Sequence, residues 1–159
     1  MASSADYDYM SLAIEQMRQA GVELKTGGPF GAVIVLHGKV IAAAGNTVIA
    51  DHDPTAHAEI NAIRQACRSL HTGNLSGAIL YSTGECCPMC YAAAYWARIS
   101  KIYYAIPWEM YADLFDDAEI NKDLAKPYEE RLLTPQHLPH EEAERVWAEF
   151  RTIPNGASY

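Results

Sequence analysis

The sequence has few basic residues and no long apolar run, and both absences exclude classes of protein. Lysine and arginine number 12 against 20 acidic residues, which gives a formal net charge of -8. Such a balance is opposite to that of a surface that neutralises phosphates, so a nucleic-acid polymer is not expected as a partner. No apolar run approaches the roughly 20 residues of a membrane span, and the first residues lack the pattern of a secretory signal. The sequence therefore predicts a cytoplasmic protein without a membrane anchor.

Cysteine is also scarce, with four residues at positions 67, 86, 87 and 90. Three of them lie within five positions, which is poor spacing for a disulfide framework. The clustering is typical of metal or redox chemistry. Cys67 falls on the inner stripe of a predicted helix and is interpreted as a small core residue, and Cys86 is interpreted as a buried free thiol.

The order of sequence patterns predicts one α/β domain over residues 1–159. We expect a three-layer αβα sandwich with a mixed sheet of about five strands, including a β-hairpin and a parallel βαβ unit. A tail over 151–159 contains Pro154, Asn155 and Gly156 and is predicted to be non-helical. Helices are predicted over 6–20, 88–97, 110–117 and 140–150, and a further helix from an Asp53 N-cap to residue 67. Strands are predicted over 30–36, 40–45, 78–82 and 101–106, with an extended segment over 131–134.

Two short motifs at predicted helix starts have the composition of a zinc site. His57-Ala58-Glu59 begins one helix, and Cys87-Pro88-Met89-Cys90 begins another. Residues i and i+2 do not share a helix flank, so a metal between the motifs would lie beyond the helix ends. Helix N-termini and the metal lower thiol pKa values, so Cys87 and Cys90 are expected to bind as thiolates beside His57.

Three protein ligands leave one position of a tetrahedral zinc open, whereas a structural zinc is usually closed by four. Zinc brings the pKa of a bound water near 7, and a nearby carboxylate can move its proton. Glu59 is therefore the candidate catalytic residue. The combination H-x-E with P-C-x-x-C is the known signature of zinc deaminases that act on nucleobases. A thioredoxin-like redox pair would leave His57 and Glu59 without a role.

On these residues the sequence resembles the cytidine deaminase superfamily, and within it the bacterial guanine deaminases. The resemblance extends over nearly the whole chain and depends on the order and spacing of its segments. These segments are 27–35, 53–59, 87–90, 95–98, 115–117 and the terminal Tyr159.

The resemblance implies hydrolysis of guanine to xanthine and ammonia with one zinc ion per subunit. In that reaction zinc-bound hydroxide attacks C2 of the purine, and Glu59 shuttles protons to the ring nitrogen and the departing amine. The resemblance also implies that Phe30 stacks on the base, that Asn46 hydrogen-bonds its edge, and that Asp117 contacts the purine or assists proton transfer. Further implied substrate contacts are Ala58, Trp96 and Tyr159.

The resemblance further implies a homodimer in which the tail 151–159 is exchanged, so that Tyr159 closes the pocket of the neighbouring subunit. The chain departs from the family pattern at two places. Cys86 stands where the family commonly has proline, and Gly84 where a bulkier residue is common. The segment 105–111, which includes Trp108, brings new bulk near the route to Asp117.

Alternative functions remain open at this point. The same metal chemistry serves deaminases of guanosine, cytosine or an aminotriazine, and it also serves transfer-RNA adenosine editors, which need basic surface for phosphate contacts. A non-catalytic module that uses zinc for folding would need a fourth ligand, for which Cys86 is the nearest candidate. Such a module would show no activity that depends on Glu59.

Overall fold

A computed structural model of the chain describes residues 2–115 and 117–157. The chain falls into two units, Met1–Ile120 and Asn121–Tyr159. The first unit holds the sheet and the helices packed on it. The boundary falls in the middle of α4 (Asp117–Leu124), and the second unit holds α5 (Glu141–Thr152). No helix in the part of the chain that the structure describes is long and apolar enough to cross a bilayer.

The sheet has four strands in the order β2-β1-β3-β4. Strand β1 pairs antiparallel with β2 and with β3, whereas β3 and β4 are parallel. The predicted hairpin and parallel βαβ unit are therefore confirmed, but the expected fifth strand is not found among the described residues. Its predicted segment, 131–134, lies in the second unit, where the backbone N–H of Leu132 donates to the Asp123 carboxylate 3.0 Å away. The strands are β1 (Gly31–Leu36), β2 (Lys39–Gly45), β3 (Ile79–Gly84) and β4 (Lys101–Ile106).

Alternate residues of β1 face opposite layers, which confirms the predicted αβα sandwich. Ala32 and Ile34 pack in the core shared with α2 (Ala58–Leu70). Val33 and Val35 pack instead with α1 (Ser4–Arg18), which continues as a π-helical turn to Glu23. Both sets are buried, as expected for a central strand covered on both faces.

Helix α1 crosses the sheet at Gly31, where the two backbones are very close. A Cβ at Gly31 would lie 2.1 Å from the backbone oxygen of Ala13, so no larger residue fits there. The helix is stabilised at its start by a capping box between Ser3 and Asp6. The prediction over 6–20 located this helix within a few residues at each end.

Helix α2 begins four residues later than the predicted Pro54 start, with His57 as its N-cap residue in an extended conformation. The predicted Asp53 N-cap is wrong because that carboxylate caps a local turn. Its Oδ1 accepts from the backbone N–H of Thr55 at 2.8 Å and from the Thr55 hydroxyl at 2.7 Å. Such side-chain turns compete with helix formation. The later start places Glu59 in the first helical turn.

Helix α3 (Pro88–Trp96) agrees with the prediction over 88–97. The segment after β4 does not, because the predicted helix over 110–117 is replaced by a 3-10 turn at Trp108–Met110 followed by α4. Acidic residues at the start of α4 and Lys122 near its end match the helix dipole, which favours the observed start at Asp117.

Helix α5 extends the prediction over 140–150 by two residues, so the expectation of a wholly non-helical tail is wrong at Arg151 and Thr152. The helix ends just before Pro154. Proline restricts the residue before it to extended conformations, and Ile153 has φ -72° and ψ 118°.

A buried tyrosine joins the start of α1 to β3. The hydroxyl of Tyr81 donates to Oδ1 of Asp6 at 2.5 Å, and its ring contacts those of Tyr9 and Tyr103 with centroids 5.4 Å away. The hydrogen bond from Tyr81, followed by those from Ser3, lowers the pKa of Asp6 to about 2. The ionised carboxylate is therefore favoured in the folded state.

Replacing Tyr81 with phenylalanine is expected to remove a stabilisation that depends on pH. A carboxyl group whose folded pKa is depressed stabilises the fold above its unfolded pKa of 3.8, and the effect is lost as pH falls towards 2. The melting-temperature difference between wild type and Tyr81→Phe should thus be largest near neutral pH and shrink below pH 3.8. Tyr9→Phe is the control, because the Tyr9 hydroxyl donates to the neutral Gly38 carbonyl. An equal pH dependence in both variants would contradict the assignment.

Candidate metal and substrate site

The side chains of His57, Cys87 and Cys90 converge where α2 and α3 begin. Nδ1 of His57 lies 3.6 Å from Sγ of Cys87 and 3.5 Å from Sγ of Cys90. In a tetrahedral zinc site with bonds of about 2.05 Å to nitrogen and 2.3 Å to sulfur, ligand nitrogen and sulfur atoms are about 3.6 Å apart. The spacing and the nitrogen-sulfur donor set therefore fit zinc. Within residues 2–115 and 117–157, this is the one group of histidine, cysteine and acidic residues close enough to hold a metal.

The two thiols have unequal proton affinities. A hydrogen bond from the Cys90 thiol lowers the pKa of Cys87 to about 4, and His57 adds to this effect. The same hydrogen bond, together with burial, raises the pKa of Cys90. The His57 pKa is raised by its hydrogen bond to Cys87. The lowered pKa favours Cys87 as a thiolate, which is the form of cysteine that binds a metal.

Glu59 is buried beside the triad. Its Oε1 accepts from the Ser82 hydroxyl at 2.8 Å, and its Oε2 lies 3.5 Å from Sγ of Cys90. Burial raises the pKa of Glu59 above its ordinary value. A buried carboxyl group with a raised pKa is suited to take up and return a proton. Ser82, at the end of β3, fixes the orientation of the carboxyl group and was not identified from the sequence.

A cavity of about 490 Å³ opens above this group. It lies next to the carboxyl end of β3, the edge where open α/β sheets commonly bind ligands. Its volume falls within the usual range for small-molecule sites. The predicted residues on its wall are Phe30, Asn46, His57, Glu59, Cys87 and Asp117, and the others are Gly27, Gly28, Pro29, Val48, Ile49, Pro54, Glu85 and Phe115.

Two predicted substrate contacts, Ala58 and Trp96, do not line this wall. Ala58 is fully buried in the core, and Trp96 is 60% exposed at the end of α3. Tyr159 lies outside the described residues. The roles of these three residues remain predictions.

Asn46 presents a defined group to the cavity. Its side-chain Oδ1 accepts from the backbone N–H of Val48 at 3.0 Å, which sets the orientation of the amide. The NH₂ group is therefore the half that Asn46 can offer to a ligand. Gly27 is required beside it, since a Cβ there would lie 1.9 Å from Asn46 Oδ1.

Phe30 forms the aromatic part of the wall. Its ring meets those of Tyr111 and Phe115 edge to face, with centroids 5.3 and 5.0 Å away. The three rings form one cluster on the cavity side of β1. Phe30 was predicted from the sequence as a stacking ring, whereas no role was predicted for Phe115 or Tyr111.

Glu85 also lines the cavity and was not predicted. Its carboxylate accepts from the backbone N–H of Trp108 at 3.4 Å. Its position between the end of β3 and the first zinc cysteine was an available signal. Cys86 is a free thiol packed against the core, and it does not belong to the metal-binding group. Burial raises the pKa of the Cys86 thiol.

Comparisons with known proteins agree with this geometry. Residues 3–106 match the family model of the cytidine and deoxycytidylate deaminase zinc-binding region. A guanine deaminase of Bacillus subtilis is 43% identical over 140 residues, which cover 87% of this chain and 90% of the relative. A tRNA-specific adenosine deaminase of Agrobacterium fabrum is 49% identical over 96 residues, covering 60% of this chain and 62% of the relative.

The same fold is found in solved structures. The X-ray structure of guanine deaminase from Bacillus subtilis matches with a TM-score of 0.90 at 39% identity, covering 96% of this chain and 98% of that one. A guanine deaminase from Nitrosomonas europaea matches with a TM-score of 0.66 at 29% identity, covering 74% and 66%. The matched family region is a zinc-binding region, and the His57–Cys87–Cys90 group lies within it and can hold a metal, so zinc is the cofactor. The chain therefore belongs to the zinc-binding cytidine and deoxycytidylate deaminase family.

Proposed function

We propose that this protein is a guanine deaminase that hydrolyses guanine to xanthine and ammonia. The observation that carries the proposal is the buried Glu59 carboxyl group beside a three-ligand metal site at the base of a small-molecule cavity. The substrate follows from the 43% identity to a guanine deaminase over 87% of the chain.

His57, Cys87 and Cys90 would hold one zinc ion, which supplies a water of lowered pKa as the nucleophile. Glu59 would take one proton from that water and give it to the ring nitrogen next to C2. It would then take the proton of the hydroxyl group added at C2 and give it to the departing amine. Ser82 holds Oε1 of Glu59, so Oε2, which lies 3.5 Å from Sγ of the metal ligand Cys90, is the oxygen placed to move protons. Ammonia then leaves and xanthine remains.

The cavity wall is suited to a flat purine base. Phe30 offers a ring for stacking, and the NH₂ group of Asn46 donates to an acceptor on the edge of the base. Guanine has such acceptors at O6 and N7. Asp117 provides a carboxylate for ring N–H groups of the base.

A transfer-RNA substrate is the second candidate, because several relatives are tRNA-specific adenosine deaminases. The net charge of -8 disfavours it, since a tRNA substrate requires cationic surface for its phosphates. The match to the Agrobacterium enzyme also covers less of the chain than the match to guanine deaminase.

The proposal is tested by an ammonia-release assay on zinc-loaded protein with guanine, guanosine, cytosine, adenine and an aminotriazine. Guanine should give the highest kcat/KM, with one ammonia per xanthine formed. A higher kcat/KM for another heterocycle would change the substrate assignment but leave the assignment as a zinc-dependent deaminase in place. Release from none of them would overturn the enzyme assignment in favour of a zinc module that only supports folding.

A homodimer with exchanged C-terminal segments is the second part of the proposal. Large apolar side chains of the second unit are solvent-exposed in the single chain, including Leu132 at 87% and Leu138 at 86%. Tyr91 and Tyr95 on α3 are exposed as well. Exposed large apolar side chains on each unit are candidate contacts for an interaction partner. A second copy of the chain would cover these residues, and Tyr159 would then close its partner's pocket.

Removing residues 153–159 is expected to lower kcat/KM for guanine sharply without changing zinc content, because the metal ligands lie elsewhere. Sedimentation analysis should show that full-length protein is a dimer. Unchanged turnover in the truncated protein would remove the exchanged tail from the mechanism, and a full-length monomer would exclude the dimer. A single domain over 1–159 and a cytoplasmic location remain predictions from the sequence.

A further inference from the structure

A side chain at Gly84, the last residue of β3, would be crowded by its neighbours. A Cβ there would lie 3.0 Å from Cε1 and 3.1 Å from Cδ1 of Phe30, and 3.1 Å from the Tyr111 hydroxyl oxygen. Ordinary van der Waals contact begins near 3.4 Å. The Phe30 ring and the Tyr111 hydroxyl therefore fill the space that any larger residue at position 84 would need.

Tyr111 contacts the site in two ways. Its ring packs edge to face on Phe30 at an interplanar angle of 80°. Its hydroxyl donates to the backbone carbonyl of Glu85 at 3.1 Å, two residues before the metal ligand Cys87. Tyr111 thus joins the aromatic wall of the cavity to the loop that leads into α3.

Phe30 is supported from a second side by Phe115, whose ring centroid is 5.0 Å away at an interplanar angle of 77°. With one neighbour removed, the Phe30 ring would have space to tilt. A stacking ring acts on a flat base through its orientation, so the contact that fixes the ring also sets how well the base binds.

The two departures from the family pattern seen in the sequence therefore meet at one place. Gly84 lacks the bulk common at its position, and Tyr111 belongs to the segment with added bulk. In the fold, the Tyr111 hydroxyl occupies space that a side chain at position 84 would need. A side chain at position 84 would press on both Phe30 and the Tyr111 hydroxyl, so Tyr111 is accommodated in this position because residue 84 is glycine.

We propose that Tyr111 is a positioning residue for the purine base, because it fixes the Phe30 ring at the cavity and holds the Glu85 backbone. Gly84 allows this arrangement, since its lack of a side chain leaves the space that the Tyr111 hydroxyl occupies. This inference rests on the proposed function. Tyr111 acts through Phe30 and the loop and has no assigned contact with the reacting atoms.

The inference is tested with Gly84→Ala, Tyr111→Ala and the double variant, using KM and kcat for guanine and zinc content. Gly84→Ala should raise KM about tenfold, because the methyl group pushes Phe30 and Tyr111 apart. Tyr111→Ala should raise KM by a similar factor, because Phe30 loses a neighbour. The double variant should be less impaired than the product of the two effects, since the methyl group enters the vacated space. Zinc content and kcat should change little.

Tyr111→Phe separates the two contacts of Tyr111, because it keeps the ring and removes the hydrogen bond to Glu85. A KM between those of wild type and Tyr111→Ala is expected. Gly73→Ala is the matched control, since a Cβ at Gly73 meets nothing within 4 Å, and its KM should equal that of wild type.

The inference would be overturned if the rise in KM of the double variant equalled the product of the rises in the two single variants. An unchanged KM in Gly84→Ala, or loss of zinc in either single variant, would also overturn it. Failure of the proposed function gives a different result. In that case the wild-type protein itself would release no ammonia from guanine, whereas failure of the inference alone leaves wild-type activity intact.

Discussion

Replacing Glu59 with glutamine is expected to lower kcat for guanine by about 10²–10⁴-fold, the range that positioned acid-base groups contribute. Glutamine has nearly the same shape and can accept from the Ser82 hydroxyl, as the carboxylate does at 2.8 Å. It cannot take a proton from water or deliver one to the leaving amine. The loss should therefore fall on kcat, with zinc content unchanged.

Ser82→Ala is the companion variant for this prediction. It removes the hydrogen bond that orients Glu59 and leaves the carboxyl group in place. Its kcat should fall less than that of Glu59→Gln, with no loss of zinc. If Glu59→Gln retained wild-type kcat, Glu59 would not be the proton carrier, and the deaminase mechanism proposed for this chain would be wrong.

Replacing Cys87 with serine is expected to reduce bound zinc from about one ion per chain to a small fraction of that, and activity with it. Cys87 lies 3.6 Å from Nδ1 of His57, and its pKa of about 4 makes it a thiolate at neutral pH. A serine hydroxyl offers no such anion. Zinc is measured by elemental analysis of the purified protein, and activity by ammonia release.

The adjacent residue provides a matched control. Cys86 does not belong to the metal-binding group and packs against the core. Cys86→Ser should therefore keep its zinc, at a moderate cost in stability from burying a hydroxyl group. Equal loss of zinc in Cys86→Ser would make Cys86 a ligand and would favour a closed, structural zinc site over a catalytic one.

The metal site could be predicted from the sequence because each half of it is local. His57 with Glu59, and Cys87 with Cys90, are separated by a few residues, and each pair lies at the start of a helix. Even the misplaced start of α2 did not disturb this, since both Asp53 and His57 precede the same helix. The error arose because Asp53 can cap a turn as readily as a helix.

The cavity wall could not be predicted in the same way, because it is built from distant segments. The contact of Gly84 with Phe30 and Tyr111 joins residues more than 25 positions apart, and no local pattern encodes it. The fifth strand was overpredicted for a related reason. An extended segment at 131–134 joins a sheet only if an edge is available, and the N–H of Leu132 binds Asp123 instead.

The most direct test of the central claim follows the oxygen of the solvent. Zinc-loaded protein is incubated with guanine in water enriched in ¹⁸O, and xanthine and ammonia are measured by mass spectrometry and an ammonia assay. Hydrolysis at C2 predicts one ¹⁸O atom per xanthine, located at C2, with one ammonia released and almost no product from Glu59→Gln. Absence of xanthine from the wild-type reaction, or xanthine without ¹⁸O at C2, would contradict a hydrolytic guanine deaminase.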